Sequence, residues 1–286
     1  MKTQSTILSF SLVILALMVS SCLPDPLEIR TVPKIKPEIV VSSQILSDQS
    51  LIVLLTKSFG ALDASNDSDP QALLNQIAID DATVTISSAN GTDTLALVET
   101  GTYSGLTQPL IAGQQYTLRV DSRSMGVVTA ITDVKPQVLF DEIEASLFLN
   151  GFGDSLAQVS YRFQDVVGKN FYMLNVQRVR LNNLQSQLLN PRSFIRLLNE
   201  EITDGQPYSE TFKVFPTDFS EGDTIAVYLS NISESYFQFI RLRQDNRFSF
   251  VEFLGEPINY PTNVVGGKGF FNLYLPDVRL FVLSEE

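Results

Sequence analysis

The chain contains no histidine and no tryptophan, and Cys22 is the only cysteine among its 286 residues. Histidine is the usual general base and a common zinc ligand, so its absence excludes Ser-His-Asp and Cys-His catalysis and histidine-containing zinc sites. A single cysteine excludes an intramolecular disulfide, so the fold depends on a packed core. We therefore predict no catalytic residue, no metal site and no cofactor.

The N-terminal region has the pattern of a bacterial export signal. Residues 7–19 are an apolar run that precedes small residues, and the run is shorter than the roughly 20 residues of a membrane span. The next residues resemble a lipobox, in which the cysteine is diacylated and becomes the new N-terminus; they are Val19, Ser20, Ser21 and Cys22. An unpaired thiol is the alternative. We predict a signal peptide over 1–21 and an acyl anchor, palmitate included, on Cys22.

The net charge of the chain indicates which kinds of partner it can bind. The chain carries 20 Lys and Arg against 32 Asp and Glu, a net charge of −12. Nucleic-acid recognition needs a basic patch, so we expect no nucleic-acid partner. Anionic headgroups repel such a body, so the acyl chains on Cys22 must supply its attachment to a lipid bilayer.

Residues 22–37 contain four prolines and predict a semi-rigid, extended tether. Removing residues 1–21 leaves 265, which suggests two domains at roughly 150 residues each. The polar break TDVKPQ at 132–137 places the boundary between residues 38–133 and 134–286.

The first domain shows short strands with period-two alternation, separated by turn residues, which is typical of a small β-sandwich. Asn90-Gly91 favours a tight hairpin. The domain resembles the transthyretin-like, carboxypeptidase-regulatory type of Ig-like domain, which implies a structural or binding unit. The matching residues are Ala82, Val84, Ile86, Asn90, Gly91, Gly101, Tyr103, Gly113, Tyr116, Leu118 and Val120.

The second domain also alternates, for example at Val159, Tyr161 and Phe163, and it includes one amphipathic helix. Asn231 followed by Glu234 predicts a capping-box start for this helix. Its apolar face carries Tyr236, Phe237 and Ile240, and its polar face carries Glu234, Gln238, Arg241 and Asp245. Residues 181–205 lose the strand rhythm and are expected to be partly helical or irregular. We predict a mainly β protein of two tandem β-sandwich-like domains.

The C-terminal stretch contains Gly266, Gly267 and Gly269. A phosphate-binding loop requires G-x-x-x-x-G-K-[ST], but Thr262 occupies the place of the first glycine and Gly269 that of the hydroxyl residue. The better interpretation is a tight turn and bulge that places Phe270, Phe271 and Tyr274 in the core.

The order of these parts resembles the domain-of-unknown-function 4249 family of Gram-negative lipoproteins. The resemblance rests on Cys22, on the strand of Ala82, Val84 and Ile86, and on Gly101-x-Tyr103. It rests also on the helix start Leu229-Ser230-x-Ile232-Ser233-x-x-Tyr236 and on a closing motif of Pro257, Asn263, Val264, Gly266, Gly267, Gly269 and Phe271. It implies a location near TonB-dependent receptors and an accessory role in uptake, without a catalytic residue to carry over. The segment LPDPLE after Cys22 leaves periplasmic and cell-surface exposure both open.

Two acidic features have alternative interpretations. The loop Asp63–Asp69 has oxygen ligands suited to calcium, but it lacks the glycine and the glutamate of an EF-hand loop, so a solvated loop is preferred. Carboxylate clusters are the enzymatic chemistry left open; they are Asp141, Glu142 and Glu144, and Glu200, Glu201 and Asp204. Each cluster is local in sequence, which is typical of an acidic surface.

Four aromatic residues lie in a proline-interrupted stretch: Tyr208, Phe212, Phe215 and Phe219. If exposed, they would form an apolar patch for a partner; burial in the second core is the favoured alternative. Taken together, these features predict a lipid-anchored outer-membrane lipoprotein that is a non-catalytic accessory of a TonB-dependent receptor in nutrient uptake. The alternative is a surface adhesin or a structural cell-surface subunit.

Overall fold

The structure is a computed structural model that describes residues 36–46, 50–58, 70–150, 154–179, 194–199, 204–214, 219–246 and 260–284. The predicted signal peptide, the lipobox, most of the tether and the 63–69 loop lie outside the described residues. So do Glu200, Glu201, Phe215 and Pro257.

The described residues form a mainly β structure with two helices. The strands are β1 Ile39–Ile45, β2 Leu51–Lys57, β3 Ala82–Ser88, β4 Gly91–Glu99, β5 Thr102–Ser104, β6 Gln115–Ser122, β7 Gly126–Asp133, β8 Phe140–Leu149, β9 Ser155–Gln164, β10 Phe171–Arg178, β11 Phe194–Leu198, β12 Pro207–Lys213, β13 Thr224–Ile232, β14 Val264–Val265, β15 Lys268–Phe270 and β16 Asp277–Val282. The helices are α1 Pro70–Ile77 and α2 Glu234–Asn246. The predicted mainly β class, with sandwich-like sheets and a packed helix, is confirmed.

The first sheet has nine strands in the order β14-β7-β6-β3-β4-β5-β2-β1-β15. Its alternating residues face inward as predicted: Val84, Ile86, Tyr116, Leu118 and Val120 are all buried. The predicted hairpin joins β3 to β4, with Ser88 paired to Gly91. The two loop residues are therefore Ala89 and Asn90, one position earlier than the Asn-Gly pair.

The edges of this sheet are joined by a C-terminal segment. β14 pairs with β7 at one edge, and β15 pairs in parallel with β1 at the other, with only residues 266–267 between them. The division at 133/134 placed the Gly-rich motif in the second domain. That assignment is wrong, because the motif completes the first sheet, and a pairing over more than 200 residues leaves no local signal in the sequence.

Two further sheets, β11-β10-β13-β16 and β12-β9-β8, face each other across a second hydrophobic core. β10 and β13 are buried on both faces. Tyr172 and Leu174 point into the second core, whereas Phe171 and Met173 join the first. Phe171 lies 4.9 Å from Phe237 of α2, measured between ring centroids. The first core therefore extends into the second half of the chain, and the two halves are not separable tandem domains.

Helix α2 buries the predicted face, since Tyr236, Phe237 and Ile240 belong to the first core. Its predicted N-cap is wrong. The N-cap is Ser233, whose Oγ accepts from the Tyr236 backbone N–H at 3.3 Å, whereas Asn231 belongs to β13.

Two other local expectations also changed. Residues 194–198 form a strand rather than a helix, because β11 gains backbone hydrogen bonds by pairing with β10. The short helix α1 was not predicted; its anchor is the buried Leu74. In both cases tertiary contacts outweigh a weak local preference.

Candidate functional site

The Gly-rich motif brings backbone against backbone where the first sheet closes. A Cβ atom added to Gly269 would lie 2.0 Å from the Val41 carbonyl oxygen, and one added to Gly267 would lie 2.5 Å from the Ile39 carbonyl oxygen. Gly269 also has φ +90°, a conformation that residues with a side chain rarely adopt. Only glycine allows β15 to approach β1 so closely.

Asn263 fastens the motif with its side-chain amide. Its Nδ2 donates to the carbonyl oxygens of Ile131 and Phe271 at 2.9 Å and 2.7 Å, and its Oδ1 accepts from the Phe271 N–H at 2.9 Å. Three backbone groups on two separate segments are thereby satisfied by one side chain. Thr262 adds a bond from its hydroxyl to the Gly269 carbonyl oxygen at 2.7 Å.

The motif places aromatic residues in the first core, as the turn-and-bulge interpretation requires. Phe270, Phe271 and Tyr274 are all buried. The Tyr274 hydroxyl accepts from the Ile45 N–H at 3.4 Å. Burial raises the pKa of Tyr274 to about 12, so its hydroxyl stays neutral. The Gly-rich motif therefore has a structural role. We call residues 262–271 the clasp, because they join the two edges of the first sheet.

The favoured interpretation of the aromatic stretch, burial in the second core, is confirmed where the structure describes it, and the possible partner patch is wrong there. Phe212 and Phe219 are buried in the second core, and Tyr208 packs half-buried against it. Phe212 lies on β12 opposite Val159 of β9, so the strand pairing turns its ring inward.

One polar cluster joins the two sheets of the second sandwich and was not foreseen. Glu210 on β12 accepts from the hydroxyls of Tyr161 and Tyr208 at 2.9 Å and 3.2 Å. It also forms an ion pair with Arg196 on β11. Burial, and then the Glu210 charge, raise the pKa of Tyr161 well above its usual range. The Tyr161 hydroxyl therefore stays protonated and donates to Glu210. The cluster links β11 and β12, which are the edge strands of their two sheets, so its role is structural. Its members come from three strands, so no sequence spacing reveals it.

The acidic candidates lie in separate places. Asp141, Glu142 and Glu144 are exposed along the single strand β8, and Glu142 pairs with Arg162 at 3.7 Å. Asp204 accepts from the Gly168 N–H at 2.8 Å, which anchors a turn. Within the described ranges, no group of three or more His, Cys, Asp or Glu residues is arranged to hold a metal ion.

A shallow groove of about 470 Å³ runs between β11 and α2. Phe194, Leu197 and Phe237 contribute apolar surface to it. Two of its polar groups are already engaged, because Gln244 donates to the Ile195 carbonyl oxygen at 2.8 Å and Arg196 pairs with Glu210.

As for membrane-spanning segments, neither helix in the described part of the chain combines the length and apolar character needed to cross a bilayer.

The sequence profile of a domain of unknown function, DUF4249, matches residues 25–278. The chain belongs to this family. The match begins at Asp25 and ends at the start of β16, so the DUF4249 region includes β1 to β15 and the clasp. None of the curated proteins compared with this DUF4249 protein matches it.

Proposed function

We propose that this DUF4249 protein is an outer-membrane lipoprotein that acts as a non-catalytic accessory or binding partner of a TonB-dependent receptor in nutrient uptake. The observation that carries the proposal is the position of Cys22, the only cysteine, directly after an apolar run and two serines. A diacylated cysteine buries many methylene groups at about 0.8 kcal/mol each, which is sufficient for stable attachment.

The chain length between anchor and body supports this role. The 16 residues from Leu23 to Glu38 precede β1, and at about 3.1 Å per residue an extended, proline-rich chain reaches roughly 50 Å. A body held within that distance of the bilayer is confined near any receptor in the same membrane, which raises its effective concentration there.

The anchor is tested by expressing Cys22→Ala and the control Thr3→Ala, which changes the leader outside the apolar run and the lipobox. We expect Cys22→Ala to lose palmitate labelling and to leave the membrane fraction, while Thr3→Ala retains both. A Cys22→Ala protein that still fractionates with membranes and supports uptake contradicts the proposal.

The receptor partnership is tested by crosslinking the acylated protein in its native outer membrane and identifying partners by mass spectrometry. A TonB-dependent receptor recovered at constant stoichiometry is the expected result. Recovery of copies of the protein alone, or its assembly into fibres on purification, would favour the adhesin or structural-subunit alternative instead.

A further inference from the structure

The chain contains two asparagine–glycine pairs, Asn90-Gly91 and Asn150-Gly151. An asparagine before glycine loses its side-chain amide without an enzyme when the glycine nitrogen attacks the side-chain carbonyl carbon. Glycine permits this attack because it has no Cβ atom beside that nitrogen and its backbone turns freely. The two pairs share this chemistry, so a difference between their rates in the folded protein must come from the structure.

The first pair lies at the tip of the β3–β4 hairpin, where Asn90 and Gly91 are both exposed. Asn90 Nδ2 donates to Gln114 Oε1 at 3.3 Å, which is long for a hydrogen bond and joins two exposed groups. A Cβ atom added to Gly91 would meet nothing within 4 Å, so the space beside this residue is open. Gly91 is the first residue after the loop, and loop tips open locally more readily than the centres of strands.

The side chain of Asn150, in the second pair, is held at both ends. Its Nδ2 donates to Asp154 Oδ2 at 2.7 Å, and its Oδ1 accepts from the Asp154 N–H at 2.8 Å. The side-chain carbonyl group must rotate toward the following nitrogen before a ring can close. Both hydrogen bonds therefore oppose the reaction at Asn150.

The chain has one aspartate–glycine pair, Asp204-Gly205, which undergoes the same ring closure with loss of water. Here the attacking nitrogen is held, because the Gly205 N–H donates to Asp165 Oδ2 at 3.0 Å. The carboxyl group is held as well, since Asp204 Oδ1 accepts from the Gly168 N–H at 2.8 Å. Asn90 therefore has the weakest hold among the three side chains.

We propose that Asn90 is a site of spontaneous deamidation in the folded protein, whereas Asn150 and Asp204 are protected. The Gly91 nitrogen, after losing its proton to hydroxide, forms a bond to Asn90 Cγ. The bond from Cγ to Nδ2 then breaks, and the departing nitrogen takes protons from water and leaves as ammonia. Water opens the resulting five-membered succinimide ring at either carbonyl group, which gives aspartate or isoaspartate. The net reaction exchanges ammonia for water, without oxidation or reduction.

Deamidation changes both the charge and the backbone at this hairpin. The product carries one more negative charge, so the net charge of the chain changes from −12 to −13. Isoaspartate also adds one carbon atom to the main chain beside the pair of Ser88 and Gly91. The protein therefore accumulates a more acidic form with time, and this inference does not depend on the proposed membrane role.

The test follows both asparagine–glycine pairs in the full chain during incubation at mildly alkaline pH. Peptide mapping by mass spectrometry detects each conversion as a mass increase of about 1 Da, and chromatography separates isoaspartate from aspartate. In the folded protein we expect Asn90 to react about fivefold or more faster than Asn150, because hydrogen bonds must be broken at Asn150 first. In concentrated urea the two rates should become similar.

A variant tests the cause of the protection. Asp154→Ala removes the acceptor of Asn150 Nδ2, so the rate at Asn150 should rise severalfold while the rate at Asn90 stays the same. Asp141→Ala, which removes an exposed acid at the other end of β8, is the matched control and should change neither rate. Circular dichroism checks that both variants are folded.

Each outcome supports or overturns the proposal. A folded protein in which Asn150 reacts as fast as Asn90 overturns it, and this comparison needs no variant. Aspartate without isoaspartate at position 90 would show direct hydrolysis and overturn the ring closure. An unchanged rate at Asn150 in folded Asp154→Ala would overturn the protection by Asp154.

Discussion

The close approach of β15 to β1 predicts that Gly269→Ala lowers the free energy of unfolding. The new methyl group would lie 2.0 Å from the Val41 carbonyl oxygen and 2.9 Å from the Val41 nitrogen and carbonyl carbon. These are backbone atoms of β1 and cannot rotate away as a side chain would. Relief therefore requires β15 to withdraw from β1, where three residue pairs are in register.

The magnitude follows from two contributions. A positive φ costs a residue with a side chain about 1–2 kcal/mol. Withdrawal of β15 loses backbone hydrogen bonds worth about 1 kcal/mol each and loosens the buried Phe270. We expect the free energy of unfolding to fall by about 4–6 kcal/mol in total, which is a large fraction of the stability of a typical domain.

Gly113→Ala is the matched control. Gly113 has φ +80°, but a Cβ atom there meets nothing within 4 Å, so the control isolates the conformational cost of about 1–2 kcal/mol. The assay is urea unfolding followed by far-UV circular dichroism, because the chain has no tryptophan for fluorescence. If the two variants lose the same free energy within about 1 kcal/mol, the close approach of β15 to β1 is not what requires glycine.

Three further predictions test the clasp, the acid stability and the shared core. Asn263→Ala should lower the free energy of unfolding by about 2–4 kcal/mol, because it leaves three backbone groups without their partner, whereas the exposed Asn90→Ala should change it by less than about 1 kcal/mol in the same urea assay. The pKa of Asp93 is lowered by hydrogen bonds from the Gln108 N–H and from Thr107. The stabilising effect of its carboxylate is therefore present above the unfolded-state pKa and is lost as the pH falls through the folded-state pKa, so the melting temperature of Asp93→Asn should fall less below about pH 4 than that of the wild type. Identical acid profiles of the two proteins would contradict this. Phe237→Ala should cost about 3–5 kcal/mol and keep a single unfolding transition in calorimetry, because the first core extends through both halves; two separated transitions would restore the tandem-domain interpretation.

Much of the fold was predictable from residues close together in sequence. The alternation of Val84 with Ile86 and of Tyr116 with Leu118 identified strands, because a half-buried strand repeats every two residues. The spacing of Tyr236, Phe237 and Ile240 identified the buried face of α2 for the same kind of reason. The hairpin after Ser88 was predictable from Asn-Gly, with its loop displaced by one position.

The candidate sites were less predictable, because their contacts join distant segments. For Phe212 and Phe219 the sequence left exposure and burial both open, with burial favoured, and the pairing of β12 with β9 shows that Phe212 faces the core. The Glu210 cluster draws on three strands. The pairing of β14 with β7 joins residues separated by more than 130 positions, and nothing in the local sequence of Thr129 indicates Val265.

The sequence alone determined most of the strands, the buried face of α2, the glycines of the clasp, the separate motifs of the family resemblance and the predicted anchor at Cys22. Each of these depends on side-chain type or spacing within a short segment. The tertiary structure decided how the chain divides. Strands β14 and β15 close the first sheet, and the two halves of the chain share a core. Backbone pairing and apolar burial stabilise such contacts whatever the separation of the residues along the chain.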